Sequence, residues 1–159
     1  MRSLPPPGLP VADVNRATAW STHLAVALSA GTGIVYGWMR YLCVPEDEFA
    51  IVNHPWQPDL QHFHIIVVPL LVFVCGLLWS THVWPRVKSG FRSRRTTGLV
   101  LAAGLLPMVL SGYLVQVVAD ETWRLVWVWT HGVTSTLWTL GYLVHQLAPR
   151  RRAAPATEE

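Results

Sequence analysis

The stretch LVWVWTHGVTSTLWTLGYLVHQLAP (125–149) decides the fold class, because none of its residues is Asp, Glu, Lys or Arg. A helix needs about 20 predominantly apolar residues to cross the hydrocarbon core of a bilayer. Three further uncharged windows occupy positions 17–39, 60–85 and 96–119, and each of them exceeds that length. Windows of this length predict helices rather than the alternating strands of about ten residues that build membrane barrels. The chain is therefore predicted to cross a membrane four times.

The composition agrees with this prediction, since 52% of the residues are hydrophobic and only 13% are charged. That charged share is about half the value usual for a soluble domain. It excludes a disordered chain, a nucleic-acid-binding arm and an ordinary soluble enzyme. We expect an all-α integral membrane four-helix bundle over residues 17–149, between tails at 1–16 and 150–159. The spans are predicted at about 17–40, 61–85, 96–119 and 124–148.

The basic residues predict the orientation in the membrane. Ten of the twelve Lys and Arg residues lie in the two tails and in the loop between the second and third spans. The two other loops contain six acidic residues and only two basic ones, Arg40 and Arg124. Because basic loops stay on the cytoplasmic side, both termini are predicted to be cytoplasmic. We expect a multi-pass protein of a bacterial inner (cytoplasmic) membrane, in contact with lipid and without a nucleic-acid partner.

Among Asp, Glu, Lys, Arg and His, only histidine occurs inside these windows. Ionisable side chains within a membrane are expensive, and they indicate a functional site by default. A neutral imidazole costs less to bury than a carboxylate, and it can bind a metal through one ring nitrogen. A set of histidines without carboxylates favours haem iron over a hard cation. The six histidines inside the windows are His23, His62, His64, His82, His131 and His145.

The spacing of these histidines predicts two metal centres at different depths. The step from His131 to His145 is close to four whole turns, which places them on one helical face about 21 Å apart. The step from His64 to His82 is about five whole turns, so they share a face in a regular α-helix. His64 and His131 fall in the outer half of the membrane, and the other two fall in the inner half with His23. The pattern predicts two bis-histidine haems, with His23 and His82 as alternatives for the second inner position.

The remaining candidates are weaker. His62 and the loop residue His54 are better explained as hydrogen-bonding residues than as ligands. Trp138 lies midway between His131 and His145 in the sequence, and it is equally well explained as a core residue or as a spacer between two haems. No C-x-x-C-H motif is present in the sequence, so covalent c-type haem attachment is excluded.

Three stretches carry a resemblance to a known family: HLAVALSAGTGIVYGWMRY (23–41), NHPWQPDLQHFHIIVVPLLVF (53–73) and SGYLVQVVADETWR (111–124). Together with the spacing of His131 and His145, they resemble the diheme membrane cytochrome b subunits of respiratory formate dehydrogenases and nickel-iron hydrogenases. The chain looks most similar to small uncharacterised bacterial four-helix proteins of this superfamily.

The resemblance implies two non-covalent b haems with particular ligands. His23 would pair with His145 on the inner haem, and His64 would pair with His131 on the outer haem. His82 departs from the family pattern and stays an alternative inner ligand. If His23 is the ligand, His82 and the nearby Trp84 become candidates for binding a quinone.

The functional prediction is therefore electron transfer across the inner membrane. The protein would connect a quinone pool to a redox partner such as a periplasmic cytochrome c or an oxidoreductase subunit. It would be an electron-transfer subunit of a quinone-linked oxidoreductase rather than an enzyme with its own catalytic residues. Two alternatives stay open: a membrane protein that binds or transports a transition metal with the same histidines, and a subunit that only anchors a complex.

Overall fold

The computed structural model describes residues 14–89 and 95–147, and every regular element within those ranges is helical. This confirms the all-helical prediction. The predicted tails lie almost entirely outside the described residues, as does part of the basic loop, at 90–94. The elements are α1 (Arg16–Tyr41), α2 (Gln57–Leu78), a π turn (Trp79–Val83), α3 (Trp84–Lys88), α4 (Arg95–Val117) and α5 (Glu121–Leu147).

Within the described residues, two helices are long and apolar enough to cross a membrane. One is the continuous helix of 32 residues from Gln57 to Lys88, and the other is the helix of 22 residues from Thr96 to Val117. They coincide with the second and third predicted spans. Helices α1 and α5 have 26 and 27 residues, which is also sufficient length. Their sequences contain more Ser and Thr, which lowers their hydropathy below that of the other two.

The described chain divides into two compact units, which we name by their main helices. The α1–α2 unit lies within residues 10–84. Its first helix, α1, is capped by the Asn15 side chain, which accepts a 2.8 Å hydrogen bond from the Thr18 N–H. Such a cap satisfies one of the amide groups that the first helical turn leaves without a partner. Small and aliphatic side chains are buried in this unit, among them Ala25, Val67 and Val74.

The connection between α1 and α2 is held by a buried amide side chain. Gln57, at the first position of α2, is buried and accepts a 3.2 Å hydrogen bond from the Asn53 N–H. The side-chain amide of Asn53 donates in turn to the Arg40 carbonyl, at 2.8 Å. These bonds tie the end of α1 to the start of α2, so the long loop 42–56 is fixed at both of its ends.

The π turn ends at Val83, two residues before Pro85. In a regular α-helix the ring of Pro85 would clash with the carbonyl of Thr81, four residues earlier. In the structure the Trp84 N–H bonds to the carbonyl five residues earlier, that of Trp79, and this widens the helix where the clash would fall. The prediction that His64 and His82 share a face assumes a regular α-helix between them, and the π turn departs from that geometry at His82.

In the α4–α5 unit, described over residues 85–89 and 95–147, a short connection joins two long helices. The Asp120 carboxylate accepts a 2.9 Å hydrogen bond from the Trp123 N–H, so it caps α5 in the way a helix N-terminus favours. Met108 and Ser111 on α4 are buried, as are Trp138 and Tyr142 on α5. These buried residues lie on the faces through which the two helices pack.

Candidate functional site

Three rings spaced seven residues apart on α5 face α4. The Nδ1 atom of His131 lies 3.0 Å from the carbonyl oxygen of Met108. Seven residues on, the Trp138 indole N–H donates to the Leu101 carbonyl at 2.9 Å. A further seven residues on, Nδ1 of His145 lies 2.8 Å from the hydroxyl oxygen of Thr97. The two α5 histidines therefore both lie on the helical face that packs against α4.

Each of these rings lies over a glycine of α4. A Cβ atom at Gly112 would lie 3.0 Å from Cε1 of His131. A Cβ atom at Gly98 would lie 3.5 Å from Cε1 of His145. At Gly104 it would lie 3.5 Å from Cδ1 of Trp138. The glycines let α5 place its rings against the α4 backbone, which a larger residue at the tightest position would prevent.

His64 has the same surroundings within the α1–α2 unit. Its Nδ1 atom lies 2.9 Å from the hydroxyl oxygen of Thr32 on α1. A Cβ atom at the next residue, Gly33, would lie 3.1 Å from Cε1 of the His64 ring. A histidine of α2 thus contacts α1 in the manner in which the histidines of α5 contact α4.

We use the term imidazole seat for this arrangement: a Ser or Thr followed by Gly on one helix, with a histidine ring from the neighbouring helix over the pair. The hydroxyl or a nearby carbonyl holds Nδ1, and the glycine leaves room for the edge of the ring. The structure contains three described seats: Thr32–Gly33 with His64, Thr97–Gly98 with His145, and Ser111–Gly112 with His131.

The seat of His131 fixes which ring nitrogen carries the proton. A carbonyl oxygen can only accept, so the contact with Met108 requires Nδ1–H of His131 as the donor. The Ser111 hydroxyl, 3.4 Å from the same nitrogen, donates its own proton to that carbonyl at 2.9 Å. His131 is therefore in the Nδ1–H tautomer, which places the basic lone pair of the neutral ring on Nε2.

The seat of His64 leads to the same tautomer. The Thr32 hydroxyl has one proton, and it donates this proton to the Leu28 carbonyl at 2.6 Å. The hydroxyl oxygen is then the acceptor for Nδ1–H of His64. A histidine whose Nδ1–H is held by a neighbouring group is the usual form of a metal ligand that binds through Nε2.

The two candidates for the second inner ligand lie in different surroundings. His23 is exposed on α1, with its ring edge-on to Trp20 at a centroid distance of 6.0 Å. His82 is half-buried within the π turn. No glycine in the described ranges would place a Cβ atom within 4 Å of either ring, so neither histidine occupies an imidazole seat.

The structure also describes the remaining residues singled out in the sequence, which are His54, His62, Trp84 and Trp138. The Trp56 N–H donates to Nδ1 of His54 at 3.1 Å, in line with the hydrogen-bonding role expected of that loop histidine. His62 is exposed on α2. Trp84 stacks on Trp79 across the π turn, with a centroid distance of 6.2 Å. Trp138 is buried against α4 and stacks on Tyr142, which agrees with its explanation as a core residue.

Sequence reasoning missed the residues that hold the imidazoles. Thr32, Thr97 and Ser111 contact ring nitrogens, and in the sequence each directly precedes a glycine inside an uncharged window. A Ser-Gly or Thr-Gly dipeptide inside an uncharged window was the sequence signal that could have identified these residues. Over residues 14–89 and 95–147, no group of three or more His, Cys, Asp or Glu side chains is placed to hold a metal ion by itself. No family model, curated protein or solved structure matches this chain.

Proposed function

We propose that this protein is a diheme b-type cytochrome that transfers electrons across the bacterial inner membrane. The observation that carries this proposal is the set of three imidazole seats. They hold His64, His131 and His145 through Nδ1, as a protein holds an imidazole that binds metal through Nε2. Inside an uncharged window, an imidazole donor suits a haem iron better than a hard cation.

The spacing along α5 supports two centres rather than one. Because α5 is continuous from Glu121 to Leu147, the Cα atoms of His131 and His145 are separated by about 21 Å along its axis. Two ligands at that separation cannot serve one iron. We therefore assign His131 to an outer haem and His145 to an inner haem, and each haem would be held by a second histidine as well.

The second ligands are proposed from the family resemblance and from depth along the sequence. His64 would complete the outer haem with His131. His23 would complete the inner haem with His145, and His82 is the alternative for that position. This assignment requires four membrane spans with both termini cytoplasmic, as the distribution of basic residues predicts.

The chain's own residues would then hold and orient the axial imidazoles and keep water away from them. A bound haem supplies reversible one-electron chemistry, and the protein adjusts its potential through the ligands, their hydrogen bonds and burial. The indole of Trp138 lies between the two α5 histidines in the sequence and is buried. It would keep the space between the two centres filled.

We assign quinone binding to the end of α2. His82 lies within the π turn, which ends directly before Trp84, and π turns inside helices are frequent at functional sites. A neutral imidazole can hydrogen-bond a quinone carbonyl and exchange a proton near neutral pH. The redox partner on the other side would be a periplasmic cytochrome c or a membrane oxidoreductase subunit.

The test is a spectrum and a haem count on the purified full-length chain. A reduced-minus-oxidised spectrum should show the Soret and alpha bands of b haem, and a pyridine haemochrome assay should approach two haems per chain. Acid–acetone should extract them, because no covalent link is present. A colourless protein that contains zinc or copper would instead identify a transition-metal binding or transport protein. A colourless, metal-free protein would refute both functions.

A further inference from the structure

We propose that Thr32 is a positioning residue that holds His64 in its Nδ1–H tautomer and raises the basicity of Nε2, and that Thr97 does the same for His145. Both hydroxyl oxygens lie within hydrogen-bond distance of Nδ1, at 2.9 Å and 2.8 Å. The inference rests on the proposed haem function, and it adds residues that would set the potential of each haem separately.

The proton of the Thr32 hydroxyl decides the direction of this effect. That proton is donated within α1, to the Leu28 carbonyl at 2.6 Å, with the Ser29 carbonyl also near at 3.2 Å. The oxygen is thereby polarised as an acceptor toward His64. An imidazole that donates from Nδ1 carries more negative charge on Nε2, so it is a more basic ligand. A more basic axial ligand favours ferric over ferrous iron, which lowers the reduction potential.

The adjacent glycine fixes how the ring is turned. A Cβ atom at Gly33 would lie 3.1 Å from Cε1 and 3.6 Å from Nδ1 of His64, so the ring edge rests against the α1 backbone. The hydroxyl and the glycine thus restrict the ring at two points, its hydrogen-bonding nitrogen and its edge. A ligand held at two points loses less freedom when it binds, which is the effect of preorganisation.

The seat of His131 supplies an internal comparison. Its nearer acceptor is the main-chain carbonyl of Met108, at 3.0 Å, and the Ser111 hydroxyl is farther away, at 3.4 Å. Loss of the Ser111 hydroxyl leaves the carbonyl in place, whereas loss of the Thr32 hydroxyl removes the acceptor atom itself. Ser111→Ala should therefore change the haem much less than Thr32→Val, although both act on ligands assigned to the outer haem.

The variants separate the loss of a hydrogen bond to an imidazole from the general effect of removing a hydroxyl from a helix. Thr32→Val keeps the side-chain shape and removes the hydroxyl, and Thr32→Ser should restore the bond. Thr134→Val is the matched control, because the Thr134 hydroxyl bonds to the carbonyls of Thr130 and His131 within α5 and not to an imidazole. Thr97→Val tests the same idea on the inner haem.

The experiment is a redox titration of the haem bands of the full-length protein, together with ¹⁵N spectra of its histidines in the reduced state. Thr32→Val should raise the potential of one haem component only, by about 59 mV if the ferric-to-ferrous preference changes tenfold. Thr97→Val should shift the other component. Thr32→Ser and Thr134→Val should stay near the wild type, and Ser111→Ala should shift a potential much less than Thr32→Val does. In the nitrogen spectra, Thr32→Val should shift the Nδ1–H resonance of one histidine, because that proton loses its acceptor.

The outcomes separate this inference from the proposed function. If the wild type carries two haems and Thr32→Val leaves both potentials and all Nδ1–H resonances unchanged, the positioning role is refuted and the cytochrome proposal stands. If the wild type carries no haem, the cytochrome proposal fails and the inferred control of haem potential fails with it. The nitrogen spectra would still show whether the Thr32 hydroxyl fixes the tautomer. Equal potential shifts in Thr32→Val and Thr134→Val would also refute the inference, since they would indicate a general helix effect.

Discussion

Replacement of Gly112 by alanine should displace the imidazole of His131. A Cβ atom at this position would lie 3.0 Å from Cε1 and 3.1 Å from Nδ1 of the ring. Carbon atoms in contact prefer about 3.5–4.0 Å, so the ring has to move by roughly 0.5 Å or more. It cannot move freely, because its Nδ1–H is bonded to the Met108 carbonyl at 3.0 Å. Either that bond lengthens or α4 and α5 move apart.

The size of the effect follows from these two responses. Overpacking of a well-packed site costs about 1–3 kcal/mol, and loss of a hydrogen bond costs about 1 kcal/mol more. Alanine stabilises a helix by about 0.5–1 kcal/mol relative to glycine, and this gain offsets part of the cost. Gly112→Ala should therefore destabilise the protein by about 1–3 kcal/mol. On the proposed function, it should also disturb the haem assigned to His131 and leave the other haem unchanged.

The matched control is Gly132→Ala on α5. A Cβ atom at Gly132 would meet no described atom within 4 Å, so only the gain in helix propensity should remain. Unfolding of both variants in the same detergent, followed by circular dichroism, measures the stability difference, and visible spectra report on the haems. If Gly112→Ala is as stable as Gly132→Ala and keeps both spectral components, the contact between His131 and α4 does not have the tightness argued here.

Three further predictions concern the histidines and the π turn. His131→Ala and His145→Ala should each remove a different haem component, and loss of both components from either folded variant would contradict two separate centres. His82→Ala should keep both haems and slow reduction by quinol; if it loses the inner haem while His23→Ala keeps it, the ligand assignment is reversed. Pro85→Ala should let the π turn form a regular α-helix, because the proline ring no longer clashes with the preceding turn. The near-ultraviolet circular dichroism of the stacked tryptophans should then change. An unchanged spectrum would show that Pro85 does not cause the π turn.

The α5 sequence allowed much of its geometry to be predicted. The uncharged stretch 125–149 is long enough to indicate a long helix. The step from His131 to His145 is close to four whole turns, which puts both histidines on one face whatever the helix packs against. The start of the helix at Glu121 lies a few residues before the uncharged stretch because Asp120 caps it. These are local properties of one helix, and for this reason the sequence determines them.

The imidazole seats could not be predicted in the same way, because they depend on the register between two helices. A Ser-Gly or Thr-Gly dipeptide becomes a seat only when a histidine of the neighbouring helix arrives at its level. Ser89–Gly90 is the same dipeptide in the sequence, yet it follows the end of α3. The π turn is a similar case: Pro85 signals a break in the hydrogen bonding, but helical arithmetic across it assumes a regular turn.

The choice of hydroxyls and a main-chain carbonyl as imidazole partners has a physical reason. In many metal sites a carboxylate holds the second nitrogen of a histidine ligand, but an ionised carboxylate inside an apolar span is expensive. The four uncharged windows contain no Asp or Glu. Thr32 and Ser111 accept or share a proton without charge, and their own protons are donated to carbonyls of the same helix. The chain can therefore orient a neutral ring in an apolar environment. A single hydroxyl is then sufficient to adjust the basicity of an imidazole.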